Sequence, residues 1–165
     1  VSIKENVKIG ENVIIRAGTV IGGQGFEFKK NDKKIKQVNH VGGVIIGNNA
    51  EIKYNSCVDK AIYPWDNTII SEYVKIDNLV HVAHSAKIGA GTMIVANSGL
   101  GGRVEIGHDS WVGFGCTLRN GIIVGDNARI NMGAVVTKDV ENHQSVSGNF
   151  AIEHSKFIEN LKKNR

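Results

Sequence analysis

The sequence predicts an all-β fold, a parallel β-helix of hexapeptide repeats closed by a short C-terminal α-helix. Three observations carry that reading. From Ile46 to Val136 an aliphatic residue returns at every sixth position, as in Ile70, Ile76, Val82, Ile88 and Ile94, and only Pro64 breaks the series. Four positions after most of them sits a small or branched residue, such as Ala50, Ser56, Thr68, Ala86, Thr92 or Cys116. Twenty glycines stand against a single proline, which suits a chain that turns a corner every few residues. A helix needs apolar residues three and four apart, and a half-buried strand needs strict alternation. A fixed period of six satisfies neither and marks a repeat architecture.

The geometry follows from counting. Three hexads make one coil of eighteen residues, so residues i and i+18 stack in one column, with coils about 4.8 Å apart. The rhythm opens with Ile3, Ile9, Ile15 and Ile21 and runs to residue 141, which gives a β-helix over 1–141. Residues 22–45 leave the rhythm as an insertion loop, and long excursions from a compact scaffold are often binding loops. Residues 142–165 form a C-terminal loop and helix, in which Phe157, Ile158 and Leu161 share one helical face that should cap or flank the last coil. Glycine commonly follows the aliphatic, as at Gly47, Gly89, Gly107 and Gly125, where a positive φ is expected at the corner.

Composition narrows the function. The net charge of +4 is mild. The clusters Lys29, Lys30, Lys33, Lys34, Lys36 and Lys162, Lys163, Arg165 lack interleaved aromatics, so they read as solvated segments rather than a nucleic-acid platform. Cys57 and Cys116 make no disulfide framework, and Cys116 falls at an inward position. With no signal peptide and no long apolar run, a cytoplasmic protein without a membrane span is expected. His81 and His84 are three apart in a coil that is not helical, which is no metal set, so no metal is expected. His40, His143 and His154 lie outside the main repeat and read as structural or solvated.

Steps of eighteen through His84 give Asp66, His84, Gly102, Asn120 and Lys138. On this count the Asp66 carboxylate orients the imidazole, which then serves as a general base near neutral pH. Gly102 and Asn120 line the path of an extended ligand, and Lys138 meets a phosphate. Coenzyme A and phosphopantetheine have that shape. The plain alternative is a chance row of polar residues on a solvated face.

The stretch Ile76-Asp77-Asn78-Leu79-Val80-His81-Val82-Ala83-His84-Ser85-Ala86-Lys87-Ile88-Gly89 resembles the signature of UDP-3-O-acylglucosamine N-acyltransferase of lipid A synthesis. Gly25-Phe26-Glu27-Phe28, Val44-Ile45-Ile46-Gly47 and Val58-Asp59-Lys60 resemble further motifs of that family. The resemblance implies a left-handed β-helix, a homotrimer with active sites between subunits, and His84 as the catalytic histidine. It also makes Asp77 a second candidate to orient the ring. Asn78, His81, Phe26 and Trp65, with Tyr63, become candidates to hold the substrate. The family's N-terminal uridine-holding domain has no counterpart ahead of Val1, which points to a trimmed or excised segment.

Three departures from the family shift the expected donor. Ile122 follows Asn120-Gly121 where the family carries a second histidine, residues 61–65 (AIYPW) are longer than its "GAL", and Gly133–Val140 resembles acetyl-CoA-dependent transferases. The expectation is therefore transfer of an acetyl group from acetyl-CoA or another acyl-CoA to the amine of a nucleotide-linked amino sugar. An acyl-carrier-protein-dependent enzyme of lipid A synthesis, an O-acyltransferase on a small alcohol and a non-catalytic trimeric scaffold remain as alternatives.

Overall fold

A computed structural model describes residues 1–148 and 150–163. Short parallel strands stack into three flat faces of seven, six and seven strands, wound in one continuous coil. The first face runs Ser2–Ile3, Val20–Gly23, Cys57–Asp59, His81–Val82, Gly99–Leu100, Thr117–Leu118 and Val135–Val136. Above the insertions the predicted step holds: His81 pairs with Gly99, Gly99 with Thr117, and Thr117 with Val135.

In these two-residue rungs the second residue points inward. Ile52, Ile76, Val82, Ile88, Ile94 and Leu100 are almost wholly buried and share one core. Each corner must also satisfy backbone groups that turn away from the ladder. Buried hydroxyls do this at the small positions. Thr92 donates to the Gly107 carbonyl at 2.7 Å and accepts from the Ser110 N–H at 3.1 Å. Ser110 repeats the pattern one coil up, to the Gly125 carbonyl and from the Ala128 N–H. The small residues are therefore hydrogen-bonding bolts as well as fillers.

The corner glycines differ from expectation. Gly47, Gly89, Gly107 and Gly125 do not have positive φ; a Cβ on Gly89 would lie 2.5 Å from backbone of the next coil, and the others meet similar obstructions. Coil-on-coil contact is what excludes a side chain there. Positive φ falls two residues later in the corner instead, at Asn49, Gly91, Asp109 and Asn127. Asparagine, aspartate and glycine tolerate that conformation best.

Both departures from the rhythm sit on one edge, the corner between the first and second faces. One lies between Gly23 and Gly43, narrower than 22–45, and carries the antiparallel hairpin Phe28–Asn31 with Lys34–Gln37. The other lies between Asp59 and Asn67. At the far end the coil continues past residue 141, since Ser145–Val146 pairs with Arg129–Ile130. The helix spans His154–Lys163 but buries none of its residues, and Phe157 and Leu161 remain half-exposed, so it does not cap the last coil. Its first turn is held by Glu153, which accepts from the Ser155 N–H at 3.1 Å, and Lys162 and Lys163 complement its C-terminal dipole. Arg165 lies outside the described residues.

The two kinds of glycine separate experimentally. Gly89→Ala should cost about 3 kcal/mol through its collision with backbone. Gly115→Ala has open space at a φ of 66° and should cost only about 1 kcal/mol. Calorimetric melting of both variants reads the difference; equal losses would mean that conformation rather than stacking decides the corner.

Candidate active site

The corner that carries both insertions also carries His84, one coil above the second of them. Its position is set by a bolt beneath it. Buried Thr68 donates to the Asp59 carbonyl at 2.6 Å and accepts the Ser85 N–H at 2.8 Å, while Ser85 turns the chain at a φ of 59°. From above, the Arg103 N–H donates to the His84 carbonyl at 2.9 Å. With the backbone fixed on both sides, the imidazole lies in the corner and is 6% exposed.

Gly102 makes room for the ring. A Cβ there would sit 2.6 Å from both Cε1 and Nε2 of His84. The Gly102 N–H donates to no protein acceptor among the described residues. Nδ1 of His84 is buried without a hydrogen-bond partner. Nε2 faces the groove at the Gly102 side and is the nitrogen available to a ligand.

Burial holds the His84 pKa below the ordinary histidine value, and the positive potentials of His40 and Arg103 add to it. Glu27 and Asp66 oppose the shift weakly. The neutral ring that a general base requires is thereby favoured.

His84 opens into a groove of about 650 Å³ along the first face, lined by Phe26, His81, Gly99, Gly102, Thr117 and Asn120 among others. Gly99 occupies the outward position between His81 and Thr117, and its missing side chain would meet nothing within 4 Å, so it keeps the middle of the groove open. Asn120 stacks over Gly101, with its Oδ1 2.4 Å from where a Cβ would be.

Five of the expected residues thus meet: His84, His81, Phe26, Gly102 and Asn120. The others do not line this groove. Asp66 makes no hydrogen bond to His84; its Oδ1 accepts the Asn67 N–H at 2.8 Å. The reason is the second insertion: Cys57 pairs with His81, whereas Ile69 pairs with Lys87, so the extra residues fall in the very corner where the column was counted. Asp77 lines a separate groove with Lys75, Met93 and Trp111. Asn78 has a structural task, accepting the Tyr54 N–H at 3.1 Å. Lys138 is in register with Asn120 but lines another depression near Gln144 and Val146. Trp65 is 79% exposed and stacks flat on Tyr63, 5.2 Å between centroids, on the loop below His84.

One neighbour escaped the sequence reading. His40 is fully buried and packs edge-on against His84, with centroids 5.4 Å apart at 64°. It belongs to the insertion and so has no column to reveal it. Gly25 and Gly42 flank its loop, and a Cβ on Gly25 would strike His40 Nε2 at 2.8 Å and Asp59 Oδ2 at 3.3 Å. Asp59, itself buried, also faces His81 Nε2 at 3.8 Å, and burial raises its pKa. The same burial, with Asp59 beside it, pushes the Cys57 thiol up to about 11, which removes it as a thiolate nucleophile. Among the described residues no group of three or more histidine, cysteine or acidic side chains is placed to hold a metal. No helix among them is long and apolar enough to cross a membrane.

Fold and groove define a hexapeptide-repeat β-helix, and residues 67–102 and 103–138 match the bacterial transferase hexapeptide family (six repeats). The chain is homologous to proteins named UDP-3-O-acylglucosamine N-acyltransferase. It is 44% identical over 100 residues to one from Legionella pneumophila (strain Lens), covering 61% of this chain and 29% of that protein. A second, from Hahella chejuensis, is 32% identical over 153 residues, covering 93% of this chain and 43% of that protein. The chain spans less than half the length of these relatives.

Solved structures share the fold. The UDP-N-acetylglucosamine acyltransferase of Campylobacter jejuni superposes with a TM-score of 0.71 at 24% identity, over 89% of this chain and 62% of that one. That of Francisella novicida gives 0.73 at 24% identity, over 87% and 56%. The coil is left-handed, as in structures of this type.

The His84 shift has a sign that can be read directly. A nuclear magnetic resonance titration of the ring should give a midpoint below about 6.5. Between that midpoint and 6.5 the unfolded chain binds the proton that the folded one refuses, so stability falls as the pH drops below 6.5. A midpoint above 6.5 would contradict the burial argument.

Proposed function

We propose that the chain is the catalytic β-helix of an N-acyltransferase, moving an acyl group from a pantetheine thioester to the amine of a nucleotide-linked amino sugar. The observation that carries this reading is His84 itself, a buried imidazole with Gly102 packed against its Nε2 edge, opening into a groove. The substrate amine attacks the thioester carbonyl as Nε2 of His84 takes its proton. The Gly102 N–H donates to the oxyanion that develops, a contribution with high leverage on rate. As the new C–N bond persists and the C–S bond breaks, His84 returns the proton to the departing thiolate. A thioester is already activated, so these groups suffice for the chemistry.

Acetyl-CoA is the donor we favour, with its pantetheine arm along Gly102 and Asn120 and Lys138 toward the phosphates. Ile122, where the resembled family has histidine, and the bulky 61–65 loop support the shorter acyl group. Phe26 and the stacked Tyr63–Trp65 pair stand exposed beside the groove, as a platform for a base or sugar requires. His81 faces the same groove and is available to an acceptor hydroxyl or phosphate. The groove is walled by one chain on one side only, and a homotrimer would supply the second wall. The names of the relatives favour a second reading, with UDP-3-O-acylglucosamine as acceptor and a long acyl chain on a carrier protein.

Mass spectrometry of reactions offering acetyl-CoA or an acylated carrier protein to a panel of nucleotide amino sugars distinguishes the two. An amide product is expected, and His84→Ala should lower kcat by roughly 10²–10⁴-fold with melting unchanged. Turnover only with the carrier protein would select the second reading. A chain that turns over nothing and binds neither donor would be a scaffold.

A further inference from the structure

The base at the centre of the groove lacks the usual partner on its second nitrogen. An acyltransferase histidine that accepts a proton at Nε2 must carry its own proton on Nδ1, and that tautomer is the minority form of a free imidazole. Something has to select it, because the proton's position follows the hydrogen bond made by the other nitrogen. The carboxylate expected from the sequence does not do so: Asp66 is engaged with the Asn67 N–H, and Asp77 lines a different groove.

The buried polar atoms without a partner identify the candidate. Among the described residues only two side-chain nitrogens or oxygens are buried and unpaired, His84 Nδ1 and His40 Nε2, and they belong to adjacent rings. Leaving a buried polar group unpaired is costly, so two beside one another are better explained together than apart. Their hydrogen-bonding capacities match. Nδ1 of His40 lies 3.0 Å from the Val38 carbonyl, which can only accept, so His40 carries its proton on Nδ1 and offers a lone pair at Nε2.

His40 is also held stiffly. The Gln24 side chain accepts the His40 N–H at 2.8 Å and donates to its carbonyl at 3.4 Å, clamping the backbone on both sides. The edge of one ring packs against the other, with centroids 5.4 Å apart, which brings the two unpaired nitrogens into one buried cluster.

We propose that His40 is the positioning residue of this site, accepting the Nδ1–H of His84 and thereby fixing the tautomer in which Nε2 is free to take a proton. Asp59 faces the same edge of His40 across Gly25, where a side chain would intrude on both. A neutral acceptor orients the ring without the charge of a carboxylate. The insertion is then more than a substrate loop, since it delivers the group that the column of the β-helix fails to supply.

The catalytic consequence rests on the proposed function; the tautomer does not, and the test separates them. Long-range proton–nitrogen correlation spectra of ¹⁵N-histidine-labelled protein at pH 8 should show His84 as the Nδ1–H form. His40→Phe keeps the volume but removes the acceptor, and His84 should move toward Nε2–H. His40→Gln, whose amide oxygen replaces the Nε2 lone pair, should retain Nδ1–H and covers the case in which the Phe variant fails to fold.

In the acyl-transfer assay, His40→Phe should lower kcat about tenfold with KM nearly unchanged, and Gln should restore most of it. A wild-type His84 carrying Nε2–H, or a tautomer indifferent to His40→Phe, overturns the proposal, as does its loss in His40→Gln. A tautomer that shifts as expected while kcat stays constant upholds the positioning role and removes His84 as the base.

Discussion

Every coil of this molecule must present its backbone in register to the coils above and below. The ladder from His81 through Gly99 and Thr117 to Val135 tolerates no extra residue within a face, and neighbouring coils pass so close at Gly89 or Gly107 that a Cβ has no place. Apart from a one-residue bulge at Gly22 in the first face, added chain is accommodated at a corner. Both insertions are placed at the same corner, and His84 lies on that edge directly above them. The candidate site thus depends on a stacking constraint: a rigid prism with one edge released to take up added chain.

That arrangement gives the rigid part and the variable part separate tasks. The prism fixes His84 through the Thr68 bolt and the Arg103 N–H, and it clears space with Gly102 and Gly99, where any side chain would strike the ring or fill the groove. The insertions bring what the repeat cannot encode: the exposed aromatics Phe26 and Trp65, and the buried His40. Burial of the imidazole costs its charged form stability, and this keeps it neutral.

The fold was legible because its inward positions repeat. One aliphatic per six residues, from Ile46 to Val136, leaves no competing periodicity, and buried Ile88 or Ile94 sit where the count placed them. His84, Gly102 and Asn120 were legible for the same reason, being one coil apart in an uninterrupted stretch. Asp66 does not bond the ring: it stands at the end of the extra residues between Asp59 and Asn67, which lengthen the step from Cys57 to His81, and it accepts the Asn67 N–H instead. His40 had no column, and only a three-dimensional contact reveals it. The C-terminal helix was foreseen from its apolar face, but its docking was not legible, since amphipathicity says that a face is apolar and not what covers it.

The central claim is that the edge formed by His84 and Gly102 is where a thioester reacts. The most direct test is a structure with a non-hydrolysable thioether analogue of acetyl-pantetheine, the portion shared by coenzyme A and by carrier proteins. Its sulfur is expected beside His84 Nε2, its acyl oxygen toward the Gly102 N–H, and its arm rising past Asn120. An analogue seated in the groove of Lys75, Met93 and Trp111, on another face, would contradict it.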